Sequence, residues 1–249
     1  MICPKVSVVT VTYNAAWELR CTLSNLSRID YPALEVVVID GASTDGTRAV
    51  LSEFAGLITY ASSEPDNGIY DAMNKGLRAS TGDFVWFINA GDFVHDPRIL
   101  TKIFASFGAD ADIYYGETLI RSESGKIMGL RRKQLPHQMT WKSFRYGMVV
   151  SHQSIIVRRD IAPQYDLSYR YAADIEWVIE SLKKARKIVN TEMILSEFTE
   201  GGTSTRHRSE SLRERFRIMV RHFGLSATLS AHAGFVLASF KPKYRKIKR

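Results

Sequence analysis

The segment 64-EPDNGIYDAMNKGLRASTGDFVWFINAGD-92 carries Asp66, Asp71, Asp83 and Asp92 together with Lys75. Its apolar run FVWFIN opens directly into the turn Asn89-Ala90-Gly91-Asp92. A carboxylate delivered to the end of a buried strand can hold a hard divalent ion. Mg²⁺ takes one or two protein carboxylates and completes its shell with phosphate oxygens. Lys75, seven residues after Gly68, can meet the same phosphates as a point charge. Two further polar groups end apolar runs, Thr12-Tyr13-Asn14 and Asp40 followed by Gly41-Ala42-Ser43-Thr44-Asp45-Gly46. Asp40 could accept a hydrogen bond from the N–H of a base, and Tyr13 could lie against its face. Structural roles are open for the same residues. Asn14 suits a turn or helix cap, and Ser43, Thr44 or Asp45 can cap a helix because side-chain oxygens there accept from free backbone N–H groups. We take the capping reading for Asp45, and for Asp96 ahead of Pro97.

Positioning these groups requires strands that surface on one edge. Strand-like runs cover 6–12, 34–40, 57–61 and 83–89, with helical stretches at about 15–28, 45–55 and 68–80 between them. The strands are continuous and β-branched rather than alternating, as in a parallel sheet covered on both faces. Alternation of strand and helix predicts a doubly wound α/β domain. Such sheets bind ligands beyond the carboxyl ends of their strands, where the polar groups above fall.

The 249 residues suffice for one large α/β domain or two small ones, and 45% apolar with 24% charged residues is ordinary for a globular chain. Cys3 and Cys21 form neither a framework nor a CxxC pair, which points to a reducing compartment and no structural zinc. The start of the chain runs straight into KVSVVTVTYN without a basic leader and cleavage site, so no signal peptide is expected. No GxGxxG follows the first strand and no GxxxxGK[ST] occurs, which removes the best support for dinucleotide and P-loop readings. The net charge of +8 is uneven. Residues 1–130 hold 10 Lys/Arg against 16 Asp/Glu, and residues 131–249 hold 24 against 10. That asymmetry suits a polyanionic partner, whether anionic lipid, nucleic acid or a phosphorylated substrate, and equally a solvated basic tail.

The series VSVVTVTYN … VVVIDGASTDGT … DNGIYDAMNKGLRASTGDFVWFINAGD resembles the family 2 glycosyltransferases. The likeness covers residues 5–95 closely and continues more loosely through SHQSIIVRR, YRYAADIEW and EFTEGGTS to residue 204. It implies a GT-A fold: a Rossmann-like, mostly parallel sheet flanked by helices. A catalytic domain is expected over 1–205, divided into a nucleotide-sugar half (1–95) and an acceptor half (96–205), and a basic helical extension over 206–249. By resemblance Thr12, Tyr13 and Asp40 hold the nucleoside beside Asn14, and Asp66, Asp71 and Lys75 approach base, ribose and phosphates. Asp92 matches the last acid of the metal motif for Mn²⁺ or Mg²⁺, and Asp174 matches the catalytic base. His152 and the loop with Gly202 and Thr203 match positions near diphosphate and acceptor. Where many relatives carry an acid-any-acid-acid turn, this chain keeps only Asp92, and Asn89 could supply a neutral oxygen or meet the donor sugar.

The resemblance implies an inverting transfer from a nucleoside-diphosphate sugar, UDP by preference, to a hydroxyl of a glycan or lipid-linked glycan in bacterial surface polysaccharide synthesis. The partners are then donor and acceptor, not nucleic acid, with a cytoplasmic location. An oligomer is open. Other classes are a non-catalytic binding or scaffold protein of the same fold and a sugar-phosphate nucleotidyltransferase, though VTVTYNAAWELR lacks the latter's Gly-rich phosphate loop. Each site residue also has a structural reading. Asp174 near a helix start can compensate the dipole, Glu176 beside it is a rival base, and Lys75 can be a solvated helical lysine. Arg131-Arg132-Lys133 with Trp141, Phe144 and Tyr146 could line an acceptor site or form a loop and packing helix. A helix over 208–223 carries Arg213, Arg215, Arg217 and Arg221, and 225–240 is mildly apolar but too short for a membrane span. With the tail KPKYRKIKR it could lie on an anionic membrane surface or pack on the domain.

Overall fold

The computed structural model describes residues 3–201, 207–238 and 244–247, with no side chains beyond Ala231 in the second of these segments. Strands β1 (Val6–Thr12), β2 (Leu34–Asp40), β3 (Tyr60–Ser63) and β4 (Phe84–Phe87) alternate with helices α1 (Ala16–Leu26), α2 (Thr47–Glu53) and α3 (Ile69–Ala79). They form a parallel half-sheet in the order β4-β1-β2-β3. The chain continues through β5 (Phe93–Val94), α4 (Ile99–Phe107), β6 (Ile113–Arg121), β7 (Ile127–Arg131), β8 (Ile155–Arg158), α5 (Ala173–Lys184) and β9 (Ile188–Thr199). It ends in α6 (Arg208–Phe223), α7 (Leu225–Ala238) and β10 (Tyr244–Arg245). β8 inserts antiparallel between β4 and β6, and β7 and β10 complete that edge. β9 runs parallel to β6 and pairs antiparallel with β5.

The sheet separates two cores, which explains the unbroken apolar strands. Val9, Val11, Val37, Ile39, Val85 and Phe87 face one side, with α3 and α5. Val8, Val36, Val38, Phe84, Trp86 and Ile88 face the other, with α1 and α4. Every residue of β1 is buried. The α/β fold with a central, mostly parallel sheet flanked by helices therefore stands as the strand composition predicts, and β1 and β2 keep the expected bounds. β3 begins three residues later than the expected run 57–61, because Leu57 and Ile58 pack on the α1–α2 side instead of pairing with β2. α3 lies unusually close to β1: a Cβ on Gly76 would stand 2.4 Å from Val9 Cγ1.

The C-terminal helix α6 packs onto the domain. Phe223 stacks on Trp141 at 5.6 Å, Ile218 joins the α5-side core, and Glu214 accepts from the backbone N–H groups of Arg170 and Tyr171. Of the basic–aromatic stretch, Arg131 ends β7, while Trp141 and buried Phe144 sit in a short 3-10 turn, Trp141–Tyr146. No described helix is long and apolar enough to cross a membrane.

Candidate active site

Sheet register assembles the first part of the site. Thr12 pairs with Asp40, and Asp40 with Ser63, so three strand ends meet in one row. Asp40 is fully buried and accepts from Ser43 N, Ser43 Oγ at 2.5 Å and Ser63 Oγ at 2.6 Å. Those bonds hold its carboxylate in one orientation at the floor of the rim. Next to Thr12 in the chain, Tyr13 is 65% exposed. Gly41 leaves room for Asp66 beside Tyr13: a Cβ there would lie 2.5 Å from Asp66 Oδ2 and 3.3 Å from Tyr13 Cδ2. Asn14 and Ala42 hold left-handed backbone, φ 46° and 61°, which costs each about 1 kcal/mol or more. Asn14 ties the two loops together, its N–H donating to Ser43 Oγ and its Oδ1 accepting from Thr44 N. Asp45 accepts from Ala16 N and Thr47 N at the first turns of α1 and α2, and Asp96 accepts from Arg98 N before α4, so both serve helix starts.

The second part lies where β4 ends. Asp92 is 5% exposed, its Oδ2 accepting from Gln153 Nε2 at 2.9 Å and its Oδ1 from Thr199 N at 3.3 Å. Burial outweighs these bonds and pushes its carboxyl up to about 7. Nearby, Asn89 Oδ1 is buried and accepts nothing among the described residues. A buried carboxylate and an unpartnered carbonyl oxygen are each the oxygen type that a hard divalent ion takes, and no basic side chain is paired with Asp92 among the described residues.

The third part is built by helices. Asp174 occupies the first turn of α5, where the helix dipole favours a negative charge. Tyr70 Oη, from the start of α3, donates to Asp174 Oδ1 at 3.3 Å, and His152 Nδ1 stands 3.8 Å from Asp174 Oδ2. Burial, opposed by Asp174 and reinforced by Arg131, lowers the His152 pKa and favours the neutral ring. Burial and then the Asp174 charge raise Tyr70 well above an ordinary phenol, so it remains a donor. A stack of Tyr70, Tyr165 and Trp177, with centroids 5.4 and 5.2 Å apart, locks α3 against α5. Asn74 secures the middle ring by bonding both N–H and C=O of Tyr165.

One short turn, His152–Ser154, leads into β8 and joins the last two parts. Its successive side chains reach opposite acids, His152 to Asp174 and Gln153 to Asp92.

Asp66 stands at the rim against Gly41, whereas Asp71, Lys75 and Glu176 have their partners elsewhere. Asp66 accepts from Gly68 N, and Asp71 from Asn67 N, shaping the turn ahead of α3. Lys75 bonds Pro65 O at 2.7 Å and pairs with Glu64 at 3.2 Å, so its partners belong to the loop after β3. Glu176 is not grouped with Asp174. It is buried against α6, 2.6 Å from His222 Nε2 and 3.2 Å from Arg221 Nη1, because α5 turns that side toward the C-terminal helix. Glu176, Glu180 and His222 approach one another closely enough to hold an ion, but Arg221 and Lys183 already occupy them. Gly202 and Thr203 lie outside the described residues. Sequence reasoning missed Tyr70 and Gln153, each next to or within a motif it quoted.

Residues 7–165 match the family model described as Glycosyl transferase family 2. The chain belongs to this glycosyltransferase family. It is 30% identical over 213 residues to the uncharacterized glycosyltransferase Rv1514c of Mycobacterium tuberculosis, covering 84% of this chain and 79% of the relative. It is 27% identical over 212 residues to the PGL/p-HBAD biosynthesis glycosyltransferase Rv2957 of the same organism, covering 81% and 79%. Staphylococcus aureus TarS 1–349 in complex with UDP-GlcNAc superposes with a TM-score of 0.69 at 19% identity, covering 93% of this glycosyltransferase and 73% of that chain. M. tuberculosis glucosyl-3-phosphoglycerate synthase, solved with Mn²⁺, UDP and glucosyl-3-phosphoglycerate, gives 0.61 at 15%, covering 89% and 81%. At such identities the two structures establish a shared fold for this glycosyltransferase.

Proposed function

We propose that this glycosyltransferase moves a sugar, with inversion, from a nucleoside-diphosphate donor, UDP by preference, to a hydroxyl of a surface glycan or glycolipid acceptor. The observation that carries the reading is the His152–Gln153 turn, whose neighbouring side chains reach Asp174 and Asp92. The nucleoside lies across Tyr13 and the Asp40 floor. Asp92, with Asn89, would hold a divalent ion, which when bound offsets charge on the departing diphosphate. The relatives' names support a glycan or glycolipid product and the solved neighbours a nucleotide donor.

Asp174 takes the proton of the acceptor hydroxyl as its oxygen forms a bond to the anomeric carbon. The bond from that carbon to the diphosphate oxygen breaks on the opposite face, and the electron pair leaves with the diphosphate. Tyr70 fixes one oxygen of Asp174 so that the other faces the acceptor. The enzyme works at the inner face of the cell membrane, where the basic C-terminal extension meets anionic lipid; flotation with anionic but not neutral vesicles checks this.

Calorimetric binding of UDP, GDP, dTDP and CMP, each with and without Mn²⁺, tests the donor site. One nucleoside diphosphate should bind far more tightly with metal. Failure of all four to bind would overturn the reading.

A further inference from the structure

Within electrostatic reach of Asp174, three cations stand close enough to repel one another, two of them held on the backbone of Tyr146 and Met148. Arg131 comes from the end of β7, Lys133 from the segment after it and Arg215 from α6. Arg131 donates through Nη2 to Met148 O at 3.2 Å, while its Nη1 is buried with no partner among the described residues. Arg215 Nε is likewise buried and unpartnered among them. Lys133 Nζ donates to Tyr146 O. The nearby carboxylate of Glu117 does not balance these charges, because Arg245 takes both its oxygens at 2.7 Å. Asp174 is the other acid whose charge reaches Arg131. Burial, followed by repulsion from Arg215, lowers Arg131 to about 10, and burial with Arg131, Arg132 and Arg215 lowers Lys133 to about 8. Buried guanidinium N–H groups left without acceptors, among like charges, destabilise the empty site and would be relieved by an anion.

We propose that Arg131, Lys133 and Arg215 form an anion subsite for a phosphate group carried by the acceptor. A phosphate offers several oxygens and up to two charges to this convergence of donors, and guanidinium geometry matches it. Its place in the sheet assigns it to the acceptor. β7 stands three strands from β4, in the order β7-β6-β8-β4, roughly 14 Å at the usual strand spacing. The donor diphosphate belongs at the end of β4, whereas this cluster borders His152 and Asp174, where the acceptor hydroxyl must lie. The substrate would then be a phosphate-bearing alcohol or a phosphate-linked polymer, held by its phosphate while a neighbouring hydroxyl faces Asp174. The inference rests on the transferase reading above.

The test is calorimetry on the full chain with glycerol 3-phosphate, glycerate and glycerol as probes, and UDP with Mn²⁺ titrated separately. Wild type should bind glycerol 3-phosphate and neither control. Arg215→Gln and Arg131→Lys should weaken that binding by about tenfold or more, with UDP affinity within about twofold of wild type. Thermal melts guard against misfolding: phosphate should raise the wild-type midpoint and leave that of Arg215→Gln unmoved. Equal binding of glycerol 3-phosphate by wild type and variants, or none by wild type, would overturn the subsite. So would parallel loss of UDP affinity, which would give these cations to the donor. Loss of UDP binding in wild type itself, with the phosphate result intact, would instead sink the transferase reading.

Discussion

Tyr70 Oη donates to Asp174 Oδ1 at 3.3 Å across 104 residues of chain. This bond links the start of α3 to the start of α5 and sets the direction of the proposed base. Asp174→Asn should abolish most turnover while donor affinity stays. Tyr70→Phe, which keeps the ring stack, should lower kcat about tenfold, the equivalent of one charge-assisted hydrogen bond. Steady-state rates beside nucleotide titrations check both, and an unchanged rate in Asp174→Asn removes it as base.

Asp92 is buried and has no basic partner among the described residues, its bonds coming from Gln153 and Thr199. Asp92→Asn preserves shape and removes the charge that would hold an ion. Nucleoside diphosphate affinity measured with Mn²⁺ should fall at least tenfold, while affinity in chelator should change little. Equal affinity of the two proteins in Mn²⁺ would refute the metal role.

Glu176 and Asp174 share one helix turn yet have different partners, and their variants should differ in kind. Glu176→Ala leaves His222 and Arg221 without their buried acid. It should cost about 2–4 kcal/mol of stability and speed amide exchange across α6. Asp174→Asn should leave exchange in α6 as it is. Wild-type exchange in Glu176→Ala would show that the ion pair does not dock the helix.

Glu35 predicts how stability responds to acid. Its carboxylate is 3% exposed; burial alone would raise its pKa, but bonds from Lys5, Ser7 and Thr81 prevail and hold it at about 2 instead of 4.5. A depressed folded-state pKa means stability that is complete above the unfolded value and is lost as pH falls from about 4.5 through about 2. The shift corresponds to roughly 3 kcal/mol. Denaturant titrations of wild type and Glu35→Gln should differ by about that much at pH 7 and converge toward pH 2. A gap independent of pH would refute the assignment.

The amino-acid sequence by itself determined the elements and the edge on which polar groups collect. Continuous β-branched runs specified β1 and β2 to the residue, and Asp40 and Asp92 follow such runs, so their location at the carboxyl rim was legible. These signals are local: propensity, burial on both faces and turn chemistry act within a few residues. Tertiary structure alone decided the partners. Asp40 meets Ser63 through strand register, and Gln153 meets Asp92 because β8 enters antiparallel beside β4. Glu176 turns to His222 because α6 packs on α5. Side-chain pairs separated by dozens of residues depend on how sheets and helices stack, and no local pattern in the chain encodes that Glu176 anchors α6 while Asp174 meets Tyr70 and His152.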